Sequence, residues 1–327
     1  MNIEQLKNKI FTLRSDSDFN AAALEIFHFQ YAQNQVYHQY VDLLRTKIDE
    51  ISHYSKIPFL PVEFFKSQKI ICRDALPEKV FLSSGTTGSQ VSKHYVADLS
   101  IYEKSFLSGF ELFYGNPEQF IILALLPSYL ERKDSSLVYM AGKLIELSKN
   151  PYSGFFLQNY DALIEIISRS TGQKVFLLGV TYALLDLAEN YTIPPLNGII
   201  METGGMKGRR KEIIREELHD ILCKGFQVQE IHSEYGMTEL LSQAYSKGNG
   251  IFKSPPWMKV LIRDTNDPKS LAGDNKTGGV NIIDLANIQS CSFIATQDLG
   301  KTHNDVSFEI LGRFDNSDIR GCNLMIG

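Results

Sequence analysis

The chain has 327 residues, of which 43% are hydrophobic and 22% charged, enough for one large or two medium globular domains. Its 33 basic and 38 acidic residues give a formal net charge of −5 without any long basic run, which disfavours nucleic acid and anionic membranes as partners. The start lacks the apolar core of a signal peptide, and no run approaches the roughly 20 apolar residues of a membrane span, so we expect a cytoplasmic protein.

The first part of the chain is predicted to be helical. Apolar residues recur at three- or four-residue steps between residues 3 and 55, a stretch without Pro or Gly. Pro58 and Pro61 then mark a change of structure, and the apolar run 80–82 follows. Residues 1–75 are therefore predicted to form a helical portion that packs on the main domain.

Short apolar runs alternate with helical patterns over the next 150 residues. Strands are predicted at 120–126, 174–179, 196–201 and 228–231. Helices are predicted at 99–113 (capped by Asp98), 135–148, 160–170, 181–190 and 207–224, the last with Ile213 and Ile214 inside. This alternation predicts an α/β fold with a mainly parallel sheet flanked by helices on both faces.

The composition and the spacing of apolar runs change at about residue 240. Gly and Asn become frequent, and the apolar runs 257–263, 279–285 and 306–311 are separated by turn signals instead of helices. We therefore predict a smaller, mostly antiparallel β-rich part within a main domain of residues 76–315, followed by a short tail at 316–327.

A hydroxyl-rich loop follows the apolar run 80–82. It reads SSGTTGS at 83–89, with Lys93 just beyond. Glycines let backbone N–H groups turn toward phosphate oxygens, hydroxyls add donors, and a lysine adds positive charge, so the loop suits a polyanion. A plain surface turn is the alternative. The phosphate-binding candidates are Ser83, Ser84, Gly85, Thr86, Thr87, Gly88 and Lys93.

Four further regions carry candidate site residues after predicted strands, where ligands of parallel sheets bind. The candidates are Gly204, Gly205 and Met206, then Tyr235, Gly236, Thr238 and Glu239, and finally Asp298 and Arg313, which are expected at the ends of β-runs. Taken singly they also suit a tight turn, a core tyrosine or solvated surface charges. The chain has no GxxxxGK[ST], GxGxxG or GxSxG pattern, which argues against a P-loop, an ordinary dinucleotide fold or a serine hydrolase.

Taken in order, five motifs resemble those of the adenylate-forming superfamily, which includes acyl-CoA synthetases, luciferases and peptide-synthetase adenylation domains. They are SSGTTGSQVSK (83–93), ETGGMK (202–207), EYGMTE (234–239), TQDLG (296–300) and GRFDNSDIRG (312–321). The last motif, followed by Cys322, most resembles the acyl-protein synthetase (LuxE-like) branch. In bioluminescent bacteria such a subunit activates a fatty acid, carries the acyl group on a cysteine near its C-terminus and passes it to a reductase.

The resemblance implies ATP and Mg²⁺ as cofactors and assigns roles by position. The 83–88 loop and Lys93 would hold the β- and γ-phosphates, and 204–206 would pack against adenine. Tyr235, next to Gly236, would stack on the base, and Thr238 would contact the α-phosphate. Glu239 would hold Mg²⁺, Asp298 would accept from the ribose hydroxyls, and Arg313 would contact ribose or phosphate. The implied reaction is in-line attack of a carboxylate on the α-phosphorus, which needs positioning and charge neutralisation.

The resemblance also leaves open whether this chain carries out the adenylation step by itself. Most of the superfamily continues for about a hundred residues into a lid with a lysine, whereas this sequence stops at Gly327, so the large N-terminal domain of the fold is expected without its C-terminal lid. Adenylation could run without the lid, a partner could complete the site, or the protein could transfer groups activated elsewhere.

Cys322 is the candidate acyl carrier, with Arg320 favouring its thiolate. The four cysteines share no zinc-like spacing with the histidines, and Cys72, Cys223 and Cys291 are expected to be structural. An acyl-reductase or acyl-carrier protein is the expected partner. The alternatives are an acyl-CoA ligase or amidosynthetase that releases the acyl group to a soluble nucleophile, and a non-catalytic nucleotide-binding subunit.

Overall fold

The N-terminal part of the fold is a set of short helices. A computed structural model describes residues 3–84, 90–127, 134–170, 172–204, 213–267, 270–273 and 275–314. Its first helices are α1 (Ile3–Lys9), α2 (Asp16–Gln33), α3 (Gln35–Leu43) and α4 (Phe64–Ser67), with 3₁₀ turns at Ile10–Thr12, Ile48–Glu50 and Tyr54–Lys56. A capping box between Ser15 and Asp18 starts α2, and the Asn34 side chain starts α3, so local polar groups divide one helical pattern into several pieces.

The middle of the chain forms the parallel half of a large sheet. After the strand β1 (Leu60–Pro61) and the hairpin of β2 (Lys79–Leu82) and β3 (Lys93–Val96), its strands are β4 (Phe120–Leu125), β5 (Gly154–Phe156), β6 (Lys174–Val180), β7 (Gly198–Thr203) and β8 (His232–Tyr235). Its helices are α5 (Leu99–Tyr114), α6 (Ser136–Ser148), α7 (Tyr160–Arg169), α8 (Thr181–Asn190) and α9 (Arg215–Phe226). The parallel order is β5-β4-β6-β7-β8. All six residues of β4 are buried, which explains its uninterrupted apolar sequence.

The remaining strands continue the same sheet with antiparallel pairing. They are β9 (Ala244–Ser246), β10 (Phe252–Lys253), β11 (Met258–Arg263), β12 (Gly278–Asp284), β13 (Phe293–Thr302) and β14 (Phe308–Arg313). From β8 the order runs β9-β10-β14-β13-β12-β11. The predicted α/β class and the antiparallel β-rich part are both confirmed.

Three predicted boundaries were wrong. Helix α9 begins at Arg215, so Ile213 and Ile214 are not helical, and Ile214 is 67% exposed; residues 207–212 lie outside the described ranges. The strand predicted at 228–231 is instead β8, because Gln227 ends α9 in a left-handed conformation and the chain must turn before it can pair. The strand predicted at 196–201 starts two residues later, at Gly198.

The N-terminal segment is hydrogen-bonded to the sheet. Strand β1 pairs in parallel with β13, and the backbone N–H of Val62 donates to the carbonyl oxygen of Ala295 at 2.9 Å. The buried Gln30 amide of α2 donates to the carbonyl oxygens of Asn287 and Ile288 at 2.9 and 2.8 Å. These contacts bring the segment that precedes α4 beside β13. No helix in the described ranges is long and apolar enough to span a membrane.

Candidate active site

A cavity of about 320 Å³ lies where β2, β7 and β8 end and where β13 passes beside them. Ends of parallel strands that meet at one edge of a sheet are the usual place for a ligand in an α/β fold. Residues of all five predicted motifs line it. The lining candidates among the described residues are Ser83, Ser84, Gly204, Gly236, Thr238, Glu239, Asp298 and Arg313.

The hydroxyl-rich loop meets the cavity through its first residues. Ser83 and Ser84 line the cavity, while Gly85, Thr86, Thr87 and Gly88 lie outside the described residues. The base of the loop is closed by two hydrogen bonds, from the Ser92 N–H to Ser83 Oγ at 2.9 Å and from the Ser83 N–H to the Ser92 carbonyl oxygen at 3.1 Å. Lys93 pairs with Leu82 in the hairpin, is exposed, and is not among the residues that line the cavity.

Gly204 directly follows the strand β7 and lines the cavity. It has φ of 77°, in the left-handed region that favours glycine, so the chain can turn sharply beside a bound ligand. Gly205, Met206 and Cys322 lie outside the described residues. Their predicted roles therefore stay predictions.

Buried polar side chains form hydrogen bonds with the backbone of the loop that follows β8. Nδ1 of the buried His94 lies 2.8 Å from the carbonyl oxygen of Thr238, and Asn287 Nδ2 donates to that of Glu239 at 2.8 Å. The Asp284 carboxylate accepts from the N–H groups of Leu241 and Ser242 at 2.7 and 3.0 Å. The backbone on both sides of Glu239 is thus fixed by β3 and by the end of β12.

Glu239, the predicted magnesium ligand, is a buried carboxylate in the wall of the cavity. Its side chain is 6% exposed and lines the cavity, and burial raises its pKa even though a hydrogen bond with Ser92 acts in the opposite direction. Within the described ranges, no cluster of three or more His, Cys, Asp or Glu side chains could hold a metal ion. A single carboxylate suits Mg²⁺, which usually keeps several waters and takes its other oxygen ligands from phosphates.

Asp298, Tyr235 and Arg313 form one hydrogen-bonded unit. Tyr235 Oη donates to Asp298 Oδ2 at 2.7 Å, and Arg313 Nε donates to Asp298 Oδ1 at 3.2 Å. The Tyr235 ring packs against Phe252 and Phe308, with ring centroids 6.0 and 5.9 Å away, and is not among the cavity-lining residues. Asp298 lies in the middle of β13, not at the end of a β-run as expected, because the strand continues to Thr302.

Several cavity residues were not predicted from the sequence. They are Val62, Lys66, Leu82, Gln90, Ser92, Tyr102, Ser135, Ser136, Leu137, Met140, Thr203, Glu234, Met237, Gln243, Thr296 and Gln297. Glu234 had one available signal, a carboxylate directly before Tyr235 in the EYGMTE motif. Burial, assisted by the nearby Glu202, raises the pKa of Glu234 to about 7, although Thr203 Oγ1 donates to its Oε2. No sequence feature marked Gln243 as a site residue, because only strand pairing brings it beside Glu234.

Solved structures with the same fold are adenylate-forming enzymes. An open conformation of 2-hydroxyisobutyryl-CoA ligase in complex with 2-HIB-AMP and CoA has a TM-score of 0.66 at 11% identity, over 92% of this chain and 71% of the ligase. ATP-bound MatB from Rhodopseudomonas palustris has a TM-score of 0.55 at 15% identity, over 72% of this chain and 47% of MatB. MenE from Bacillus subtilis, in complex with ATP and magnesium ion, has a TM-score of 0.51 at 17% identity, over 72% of this chain and 49% of MenE. The chain thus spans about half the length of MatB and MenE.

The fold and the ordered motifs together define an adenylate-forming α/β domain, as predicted. A family model for the acyl-protein synthetase LuxE matches residues 12–327. The chain belongs to the LuxE acyl-protein synthetase family. No curated protein matches the chain significantly by sequence.

Proposed function

We propose that this protein activates a carboxylic acid with ATP to give an acyl-adenylate and pyrophosphate. The observation that carries the proposal is the convergence of Ser84, Gly204, Glu239 and Asp298 on one cavity, although they are scattered over more than two hundred residues of the chain. Membership of the acyl-protein synthetase family supports the same reaction. Chance surface turns and solvated charges would have no reason to meet in this way.

In the proposed reaction, a carboxylate oxygen of the acid attacks the α-phosphorus of ATP. A bond forms between that oxygen and the phosphorus, and the bond from the α-phosphorus to the bridging oxygen breaks as pyrophosphate leaves with the electron pair. Ser83, Ser84 and the rest of the hydroxyl-rich loop would bind the leaving phosphates, and Thr238 would orient the α-phosphate. Asp298 would accept from the ribose hydroxyls. Glu239 would hold Mg²⁺, which when bound neutralises phosphate charge.

The proposed second step moves the acyl group to Cys322. The thiolate attacks the acyl carbonyl carbon, a thioester forms, and AMP leaves as the bond from the acyl carbon to the phosphate oxygen breaks. The family match supports this step, since the LuxE model extends over the tail that contains Cys322. An acyl-reductase or an acyl-carrier protein would then accept the group, and the resemblance suggests a fatty acid as its source.

Exchange of labelled pyrophosphate into ATP tests the first step. We expect exchange that depends on both a carboxylic acid and Mg²⁺, and a loss of at least about 100-fold in Glu239→Gln, because the amide removes the charge that would hold the ion. Glu111→Gln, a change at an exposed position on α5, is the control. Exchange that survives Glu239→Gln undiminished would remove Glu239 from the mechanism.

A labelled acid tests the second step. After incubation with ATP and Mg²⁺, we expect label on the protein that hydroxylamine removes and that Cys322→Ser prevents, while Cys223→Ser, a change at a half-buried thiol of α9, retains it. Label that stays on the Cys322→Ser protein and resists hydroxylamine would be incompatible with the thioester. Label found only in free acyl-adenylate would favour release to a soluble nucleophile.

A further inference from the structure

We propose that the acyl group held by this site carries a hydrogen-bond donor, a hydroxyl or an amine, which Gln243 binds. This inference rests on the proposed function, since it names the substrate class of the same cavity. The residues that carry it are Tyr102, Glu234 and Gln243, which we call the inner wall.

Strand pairing brings Glu234 and Gln243 together. In the antiparallel pair of β8 and β9, Tyr235 lies opposite Ala244, so Gln243 falls opposite Gly236, just beyond the end of β8. Side chains alternate along a strand, which puts Glu234 on the opposite face from Tyr235. A Cβ atom added to Gly236 would collide with Glu234 Oε1 and would lie 3.3 Å from Gln243 Cγ. The carboxyl and amide side chains therefore flank Gly236 from two sides.

Gln243 presents a buried oxygen that lacks a donor. Gln243 is 7% exposed and lines the cavity, yet its buried Oε1 has no hydrogen-bond partner in the part of the chain that the structure describes. Glu234 accepts from Thr203 Oγ1 through Oε2, and no group among the described residues donates to its Oε1. Buried polar groups in native proteins are normally paired, so the unpaired Gln243 Oε1 in the cavity wall indicates a ligand that supplies the donor.

The third side chain of the inner wall is Tyr102. Tyr102 lines the cavity, and burial together with the nearby Glu234 carboxylate raises its pKa. The Tyr102 hydroxyl is already used, because it donates to the carbonyl oxygen of Ser136 at 3.0 Å. The phenol that shares the inner wall therefore supplies no donor to Gln243.

A long alkyl chain fits this wall poorly. It would cover Gln243 Oε1 without pairing it, and a site built to bind a polar substrate group rejects an analogue that lacks the group. The unpaired oxygen therefore favours an acid with a polar substituent.

Matched acids test the inference through acid-dependent pyrophosphate exchange. Butanoic and hexanoic acids are compared with their 3-hydroxy and 3-amino derivatives and with tetradecanoic acid. We expect kcat/KM for one donor-bearing series to exceed that of its plain parents by at least tenfold, and the preferred series tells hydroxyl from amine. Equal or better exchange with the plain acids or with tetradecanoic acid would overturn the inference while leaving the proposed function intact.

Two variants connect the preference to the inner wall. Gln243→Met should reduce the ratio between donor-bearing and plain acids to below threefold, because the amide oxygen is replaced by an apolar group of similar length. Gln289→Met is the matched control, since the Gln289 Oε1 is also buried and unpartnered but lies away from this cavity. A preference that persists in Gln243→Met would contradict the assignment.

If no acid supports exchange, a binding measurement tests the inference separately from the proposed function. The midpoint of thermal unfolding is followed by the fluorescence of the single tryptophan, Trp257, with each acid in the presence of ATP and Mg²⁺. Stabilisation by donor-bearing acids alone, lost in Gln243→Met and kept in Gln289→Met, would support the subsite although the reaction had failed. Equal stabilisation by all acids, or none by any, would overturn the inference.

Discussion

The Tyr235 hydroxyl donates to the Asp298 carboxylate at 2.7 Å and so joins β8 to β13. These two strands are not neighbours, since β9, β10 and β14 lie between them in the sheet. The sheet must therefore curve enough for the two side chains to meet, and the bond holds Asp298 at the edge of the cavity.

Removal of this bond should affect both stability and nucleotide binding. Tyr235→Phe leaves Asp298 with Arg313 alone, so we expect a loss of about 1–2 kcal/mol in the free energy of unfolding, from urea denaturation. We also expect KM for ATP to rise more than kcat falls, because a positioning contact is lost. Tyr152→Phe, at an exposed position, is the control. An unchanged KM would separate the bond from nucleotide binding.

Asp284 should matter more for stability than other acidic residues. Besides the Leu241 and Ser242 N–H groups, its buried carboxylate accepts from Ser242 Oγ at 2.6 Å and from the Ala286 N–H at 3.1 Å. Asp284→Ala would leave these donors buried without a partner, so we expect a loss of about 3 kcal/mol or more.

Two comparisons define the test of Asp284. Asp284→Asn retains one acceptor oxygen and should cost less than Asp284→Ala in urea denaturation. Asp305→Ala, a change at an exposed acid, should cost under about 1 kcal/mol. Similar losses for the Asp284→Ala and Asp305→Ala variants would show that Asp284 does not hold the loop that precedes β9.

Glu234 should make the stability depend on pH. Burial raises its pKa from 4.5 to about 7, so the folded protein holds this proton more tightly than the unfolded chain. The free energy of unfolding should therefore fall as the pH rises from about 4.5 to 7, by at most about 3 kcal/mol and by less where cavity water solvates the carboxylate. Glu234→Gln should flatten this part of the curve, whereas Glu111→Gln should not.

The buried cysteines should resist alkylation. Burial raises the pKa values of Cys72 and Cys291 to about 12, so almost no thiolate exists at pH 8. Brief treatment of the native protein with iodoacetamide, followed by peptide mass spectrometry, should leave these two unmodified, and we expect Cys322 to be modified first. Rapid modification of Cys72 or Cys291 would contradict their structural role. A Cys322 that reacts only after denaturation would argue against an acyl carrier.

The elements that the sequence predicted well have local causes. Asp98 caps α5 as predicted, with its carboxylate accepting from the Ser100 N–H at 2.9 Å. The apolar runs at 120–126 and 174–179 are buried parallel strands. Helical periodicity, capping groups and apolar run length all act over a few residues, so they can be read directly. The predicted start of α9 was wrong because Ile213 and Ile214 continue the apolar pattern without being buried in a helix.

The sequence by itself determined the fold class, the order of the motifs and the chemical types of the candidate residues. Only the tertiary structure decided which of them share a cavity: Ser84, Gly204, Glu239 and Asp298 meet there, while Tyr235 packs behind it. It also brought in Gln243, which no motif marks. The physical reason is that strand pairing and sheet curvature join residues far apart in the chain, and a side chain's burial and pKa depend on those distant neighbours.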